Sequence, residues 1–105
     1  MSHEVIFHLA SPDEWAAAQV AGVVAPPSLV AEGFVHCSTA EQLDDTIARH
    51  FAGVDELVLL RLEPAGLGDA LRWEESRPGE AFPHVYRGIG LDEVAEVVTW
   101  HRPDA

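Results

Sequence analysis

Apolar and polar positions along the chain change their spacing several times, and each change predicts an element. Residues 4–9, Glu-Val-Ile-Phe-His-Leu, are dominated by β-branched and aromatic side chains and predict a strand. Ser11-Pro12-Asp13-Glu14 then carries three helix-start signals: Ser11 as cap, Pro12 at the first helical position, and Glu14 three residues after the cap. The predicted helix runs from Pro12 to about Ala21 and stops near Gly22. Residues 23–33 contain Pro26-Pro27, which interrupts helix and sheet interior alike, and predict a structured connection. Phe34–Cys37 predicts a second short strand. Ser38 with Glu41 predicts another capping box, opening a helix whose apolar positions Ala40, Leu43, Ile47 and Phe51 recur at helical spacing until Gly53.

The second half reads differently. Leu57–Leu62 is a nearly continuous apolar run, the pattern of a central strand buried on both faces. Pro64 to Gly68 is rich in turn formers, Leu71–Glu74 predicts a short strand, Pro78-Gly79 a turn, and Pro83–Arg87 another short strand. Leu91–Val94 fits one helical turn, followed by a last strand around Glu96–Trp100. The order β-α-β-α followed by mostly β predicts a compact α+β domain, with two main helices in the first half and a curled mixed or antiparallel sheet. A doubly wound nucleotide fold is disfavoured, because the second half lacks helices and no GxGxxG or GxxxxGK(S/T) loop is present.

Composition narrows the function classes. At 105 residues the chain fits one domain, and 48% hydrophobic content supports a single core. Acidic residues outnumber basic ones 18 to 6, every basic residue is Arg, and the net charge of −12 repels nucleic acid and anionic membrane. The one cysteine, Cys37, cannot form an intrachain disulfide, the first residues lack a basic leader pattern, and no apolar run approaches a membrane span. A cytoplasmic location is the expectation.

Three histidines fall inside predicted strands. Period two puts His8 on one face with Ile6, His36 with Phe34 and Ser38, and His84 with Tyr86. An imidazole on a strand can hydrogen-bond a sugar hydroxyl, transfer a proton near neutral pH, bind a metal, or simply be bonded to backbone in the core. A zinc site drawn from His8, His36, Cys37 and His84 lacks HxH, HxxxH and CxxC spacing, so no metal is expected. A Cys37–His36 nucleophile pair fails because neighbours in a strand point to opposite faces, which leaves Cys37 as a small buried hydrophobe. Arg72 could clamp a phosphate or carboxylate and Glu80 could polarise a ribose hydroxyl, against the alternative of a surface ion pair around a packed Trp73. The Pro26-Pro27-Ser28-Leu29 loop is either a lid or a rigid crossover. His3, His50 and His101 are expected at solvated positions.

IFHLA, PPSLVAEGFVHCSTAEQL, LVLLRLE, LRWE and GEAFPHVYRGI, in that order from about Val5 to Val98, resemble the bacterial domain-of-unknown-function family 952. That family in turn looks like a distant member of the ADP-ribosyltransferase fold, near the RNA 2′-phosphotransferases. The resemblance implies a histidine on the first strand against the nicotinamide-side ribose of NAD, matched by His8. It also implies a second strand with a His or Tyr followed by small hydroxyl residues, a pattern that Val35-His36-Cys37-Ser38 resembles. For the third position, Glu80 and His84 are both candidates. The chain departs from that pattern in having Leu9-Ala10 where transferases carry Gly-Thr after the histidine, and in lacking the basic residues used on RNA.

The combined expectation is an ADP-ribosyltransferase-like domain with NAD as cofactor or ligand. Candidates for chemistry are His36, Glu80 and His84, as groups that stabilise oxocarbenium charge or act as base. Candidates for holding the cofactor are His8, Ser38, Arg72 and Tyr86. Two rivals stand beside it: a non-enzymatic domain binding a small nucleotide-like ligand in the same cleft, and an interaction domain whose acidic face meets a basic partner while the histidines are structural.

Overall fold

The computed structural model describes residues 5–103. Strand β5 (Glu56–Leu62) is its axis, paired antiparallel with β1 (Ile6–Ala10) on one side and with β9 (Val94–His101) on the other. The apolar run of β5 is continuous because both of its faces are covered. Val58, Leu60 and Leu62 join Ile6, Ala10, Ala18, Val24, Val35 and Val85 in the main core, while Leu57 and Leu59 pack with Leu9 and Ile47 on the opposite side.

The described residues form three antiparallel sheets rather than one curled sheet. Their orders are β4-β1-β5-β9, β2-β8 and β3-β7-β6. The segment read as a single strand at Phe34–Cys37 is divided between two of them. Strand β3 (Val35–His36) pairs with β7 (Glu80–Val85), and β4 (Ser38–Thr39) pairs with β1. Cys37 is the crossing point, and its N–H donates to the Pro83 carbonyl at 3.1 Å. Four strands end up beside one another at this point, and the site described below lies there.

Helix α1 (Pro12–Ala21) has the predicted bounds, with Ser11 accepting from the Glu14 N–H at 3.0 Å and Gly22 closing it at φ 82. The Glu14 carboxylate does not return to the cap backbone; it turns to His8 instead. The connection over residues 23–33 contains a two-residue strand β2 (Val23–Val24), paired with β8 (Ile89–Gly90), and a short helix α2 (Pro27–Glu32). Proline is compatible there because Pro27 opens the helix, where no backbone N–H is required. The second capping box also moves by one residue. Thr39 and Gln42 form it, whereas Ser38 is buried and bonded to Thr46 Oγ1 at 3.1 Å. Helix α3 (Leu43–His50) follows and lays Leu43, Ile47 and the adjoining Phe51 on the second core. Pro64–Leu67 forms a helical turn, α4, rather than an open loop. Strand β6 (Leu71–Arg77) is longer than predicted and pairs with β7 across the Pro78-Gly79 turn. Among the described residues no helix is long and apolar enough to cross a membrane.

Candidate functional site

Where β1, β3, β4 and β7 meet there is a cavity of about 340 Å³, within the size range of small-molecule sites. His8, His36, Ser38 and His84 line it from those strands, Ser28 from α2, and Thr46 and His50 from α3. Phe7, Leu9, Phe51 and Phe82 supply apolar wall, and Ser76 and Arg77 border it from β6. Four of the five described histidines therefore converge on one cavity; the fifth, His101, lies on β9, and His3 is outside the described residues. The strand pairing explains part of this convergence. His36, His84 and Arg72 are cross-strand partners in one row of the β3-β7-β6 sheet.

Each strand histidine has different hydrogen-bond partners, set by what faces its ring. His8 is buried, with Nδ1 at 2.8 Å from the His36 carbonyl oxygen and Nε2 at 2.7 Å from Glu14 Oε2. Two acceptor-only oxygens require both nitrogens to donate, so this ring is an imidazolium when Glu14 is ionised. Burial opposes that charge, yet the Cys37 sulfur and the Glu14 carboxylate beside the ring outweigh it and push His8 up to about 10. His36 is exposed and donates from Nε2 to Glu32, four residues back. His84 is buried, donates from Nδ1 to Glu74 Oε1 at 2.7 Å, and its Nε2 is buried without a partner. The ring of Phe34 stacks on His84 at 4.0 Å between centroids.

Glu74 fixes this arrangement from behind. Its carboxylate also accepts from the Tyr86 hydroxyl at 2.8 and 3.0 Å, and the bonds from His84 and Tyr86 hold it below the usual carboxylate range. The same contact raises the Tyr86 hydroxyl above its ordinary value. Arg72 lies over the Tyr86 ring, 5.1 Å from its centroid. Arg72 and Tyr86 thus sit behind His84 as its support and do not line the cavity. Glu80 is also outside the lining; it accepts from Gln42 Nε2 at 3.2 Å and faces Arg77 at 3.4 Å. Arg77 reaches the rim with Asp45 and Glu80 as ion-pair partners and the Phe82 ring beneath it.

Of the residues singled out from sequence, the cavity brings together His8, His36, Ser38 and His84. It leaves Glu80 outside, against Arg77, and Arg72 and Tyr86 behind Glu74. Sequence reasoning passed over Glu14, Glu74 and Arg77. Period two in β6 places Glu74 on the face of Arg72, which would have pointed to it had the hairpin register been known. His50, expected in solvent, is exposed but stands at the cavity rim at the end of α3. Among the described residues no three His, Cys, Asp or Glu side chains are grouped so as to hold a metal ion.

The architecture has close counterparts among solved structures. The crystal structure of protein CC0527 from Caulobacter crescentus is 40% identical, with a TM-score of 0.85 over 90% of this chain and 84% of that one. A double-mutant form of the same protein gives 38% and 0.84 over the same shares. Its solution NMR structure gives 40% and 0.78 over 90% and 82%. Among proteins of curated function none matches the chain. The family model described as "Protein of unknown function (DUF952)" matches residues 9–97, from the end of β1 into β9, and the chain belongs to that family.

Proposed function

We propose that this chain is a ligand-binding domain whose histidine cavity takes a ribose-bearing nucleotide of the NAD type. The observation that carries the reading is the convergence of His8, His36, Ser38 and His84 on one cavity. Apolar walls from Phe7, Phe51 and Phe82 suit a planar ring, and the hydroxyls of Ser28, Ser38 and Thr46 suit a sugar.

Binding is favoured over transfer of ADP-ribose. Attack at the C1′ of a nicotinamide-linked ribose calls for a base or a carboxylate beside that carbon. Glu80 is engaged with Gln42 and Arg77, and both ring nitrogens of His8 are already donating. That leaves His84 as the buried histidine of the cavity with an unpartnered ring nitrogen, beside the exposed rings of His36 and His50.

The test is a titration of the labelled protein with NAD, and separately with ADP-ribose, followed by amide NMR and by release of nicotinamide. Shifts confined to the surroundings of His8, His36, Ser38 and His84, without nicotinamide release, are the expected result. Bound ligand should also stabilise the fold by about 2.7 kcal/mol at a hundredfold excess over Kd. Absence of shifts at millimolar NAD sinks the NAD reading; nicotinamide release at an enzymatic rate replaces binding with transfer.

A further inference from the structure

Two long strands lie at sheet edges, and they are guarded differently. Strand β6 ends the β3-β7-β6 sheet and carries Arg72, Glu74, Glu75 and Arg77, charges that discourage another strand from pairing there. Strand β9 ends the β4-β1-β5-β9 sheet, and among the described residues its only sheet neighbour is β5. Its stretch Val97–Trp100 holds no charge, the chain has no lysine, and Pro103 comes only after the strand. The irregularity in its pairing lies at the other end, opposite Arg61 and Leu62. Val98 and Trp100 stand beside Leu59 and Leu57 on the second core, and Val97 beside Leu60 on the main core. Yet Val97 is 45% and Val98 37% exposed. Each core therefore runs out to an open backbone edge, and one further strand would cover both valines while pairing that edge.

We propose that β9 pairs antiparallel with β9 of a second copy of this chain, across a two-fold axis at Thr99, so that the two four-stranded sheets become one continuous sheet. Charge selects both the occupant and the register. A two-fold axis normal to a shared sheet keeps every side chain on its own face, and residues opposite one another in an antiparallel pair share a face. The axis must therefore pass at a residue and not between two. An axis at Glu96 would set that carboxylate against itself, and an axis at Val97 or Val98 would set it against Val98 or Trp100 of the copy. An axis at Thr99 sets Glu96 opposite Arg102 of the copy. Arg102 extends the ladder by one bond, its N–H donating to the Asp55 carbonyl at 2.8 Å. Its guanidinium spends Nε and Nη2 on the Val54 and Phe51 carbonyls, which leaves Nη1 for a carboxylate. Arg61 already donates to Glu96 from the other side at 3.0 Å. The row across the seam then reads Arg61, Glu96, and Arg102 and Asp55 of the copy, alternating in sign, and the axis repeats it. Between the two rows Val98 meets Trp100 of the copy, and Thr99 meets its own counterpart. A seam one strand long is narrow, so this dimer is a weak one.

Sedimentation equilibrium of the full chain from about 10 μM to about 1 mM tests this, at about 150 mM salt, where the repulsion between two acidic copies is screened beyond ~8 Å. Wild type should pass from monomer towards dimer across that range. Thr99→Lys sets an ammonium against its own copy on the axis and should weaken association by more than about tenfold, with circular dichroism checking that the exposed substitution leaves the fold intact. Under mild oxidation Thr99→Cys should give a disulfide-linked dimer. Ala95→Cys should not, because its counterpart would lie roughly 26 Å away along the paired strands. Wild type, whose Cys37 is buried, supplies the background for both. A chain that stays monomeric at about 1 mM overturns the proposal and leaves the β9 edge to a strand of some other protein. A dimer that Thr99→Lys does not weaken, or that Ala95→Cys links as readily as Thr99→Cys, overturns it as well, by placing the interface elsewhere.

Discussion

The His8 imidazolium makes the stability of this protein fall with rising pH in a window where few other groups titrate. His8 has an ordinary value of 6.5 and about 10 in the folded chain, so between those limits the native state holds one proton more than the unfolded state. A group raised by folding contributes stability that is complete below 6.5 and lost as pH climbs through 10. The slope is at most about 1.4 kcal/mol per pH unit, so the loss from about pH 7.5 to about 9.5 approaches ~2.7 kcal/mol. That is a large share of a stability that for small domains is typically ~5–15 kcal/mol. No lysine adds to this window, and Glu74 raises the hydroxyl of the single tyrosine further.

The perturbation is His8→Gln, which keeps an amide donor beside the His36 carbonyl and Glu14 but cannot titrate. Urea denaturation at half-unit pH steps, with wild type and variant side by side, gives the two slopes. The terminal amine is present in both chains and drops out, so the difference of slopes reports the His8 ring together with the Cys37 sulfur beside it. Wild-type stability should fall across the window while the variant curve is nearly flat, and ring NMR at about pH 8 should find both His8 nitrogens protonated. Parallel curves, or a His8 ring with one bare nitrogen at that pH, would refute the buried ion pair with Glu14.

Further perturbations probe the frame around the site. Glu93 is gripped by two 2.8 Å bonds from Arg87 and held at about 2, so it contributes stability above 4.5 that is lost as pH falls towards 2. Glu93→Gln should remove about 1–2 kcal/mol at neutral pH and flatten the acid limb of a pH–stability curve; an unchanged acid limb would remove this pair from the account. A Cβ at Gly88 would stand 2.7 Å from Val23 Cγ2, so Gly88→Ala should cost about 1–3 kcal/mol and disturb the β2-β8 pairing in amide spectra. Ser11→Ala removes the acceptor for the Glu14 N–H and should cost about 1 kcal/mol in thermal unfolding, with His8 ring shifts reporting whether Glu14 moves with the cap.

What the sequence could reveal followed from local pattern. The bounds of α1, the doubly buried β5 and the strand positions of His8 and His84 all depend on neighbours within a few residues. What it could not reveal depended on pairings across the chain. Glu14 looks like half of a capping box until β1 brings His8 to within 2.7 Å of it, and then the buried ring outcompetes an exposed backbone amide. Glu74 is one carboxylate among many until the β6-β7 register sets it beside His84, ten residues away in sequence. Phe34–Cys37 reads as one strand because nothing local marks the switch of sheets at Cys37. Arg72 and Glu80 were sensible candidates by residue type, and both turned out to hold other side chains of the site rather than line it.

The pairing of His8, His36, His84 and Arg77 with carboxylates bears on how any anionic ligand would arrive. The His8 imidazolium faces Glu14, His36 faces Glu32, and Arg77 faces Asp45 and Glu80, in a chain whose net charge is −12. Such a cavity is rich in oriented donors and acceptors but has little surplus positive charge to attract a phosphate. The long-range field repels one instead. At about 10 mM salt that field reaches roughly 30 Å, and at about 150 mM only ~8 Å. NAD should therefore bind this protein no more weakly, and associate faster, as salt rises across that range. ADP-ribose, which is more anionic, should gain more from added salt than NAD does. Stopped-flow association and calorimetry at the two salt concentrations measure both trends. Affinity that drops with salt, as when phosphates are gripped by free cations, would mean that Arg77 leaves its carboxylates to bind the ligand, and the donor–acceptor account of the site would give way to an ionic one.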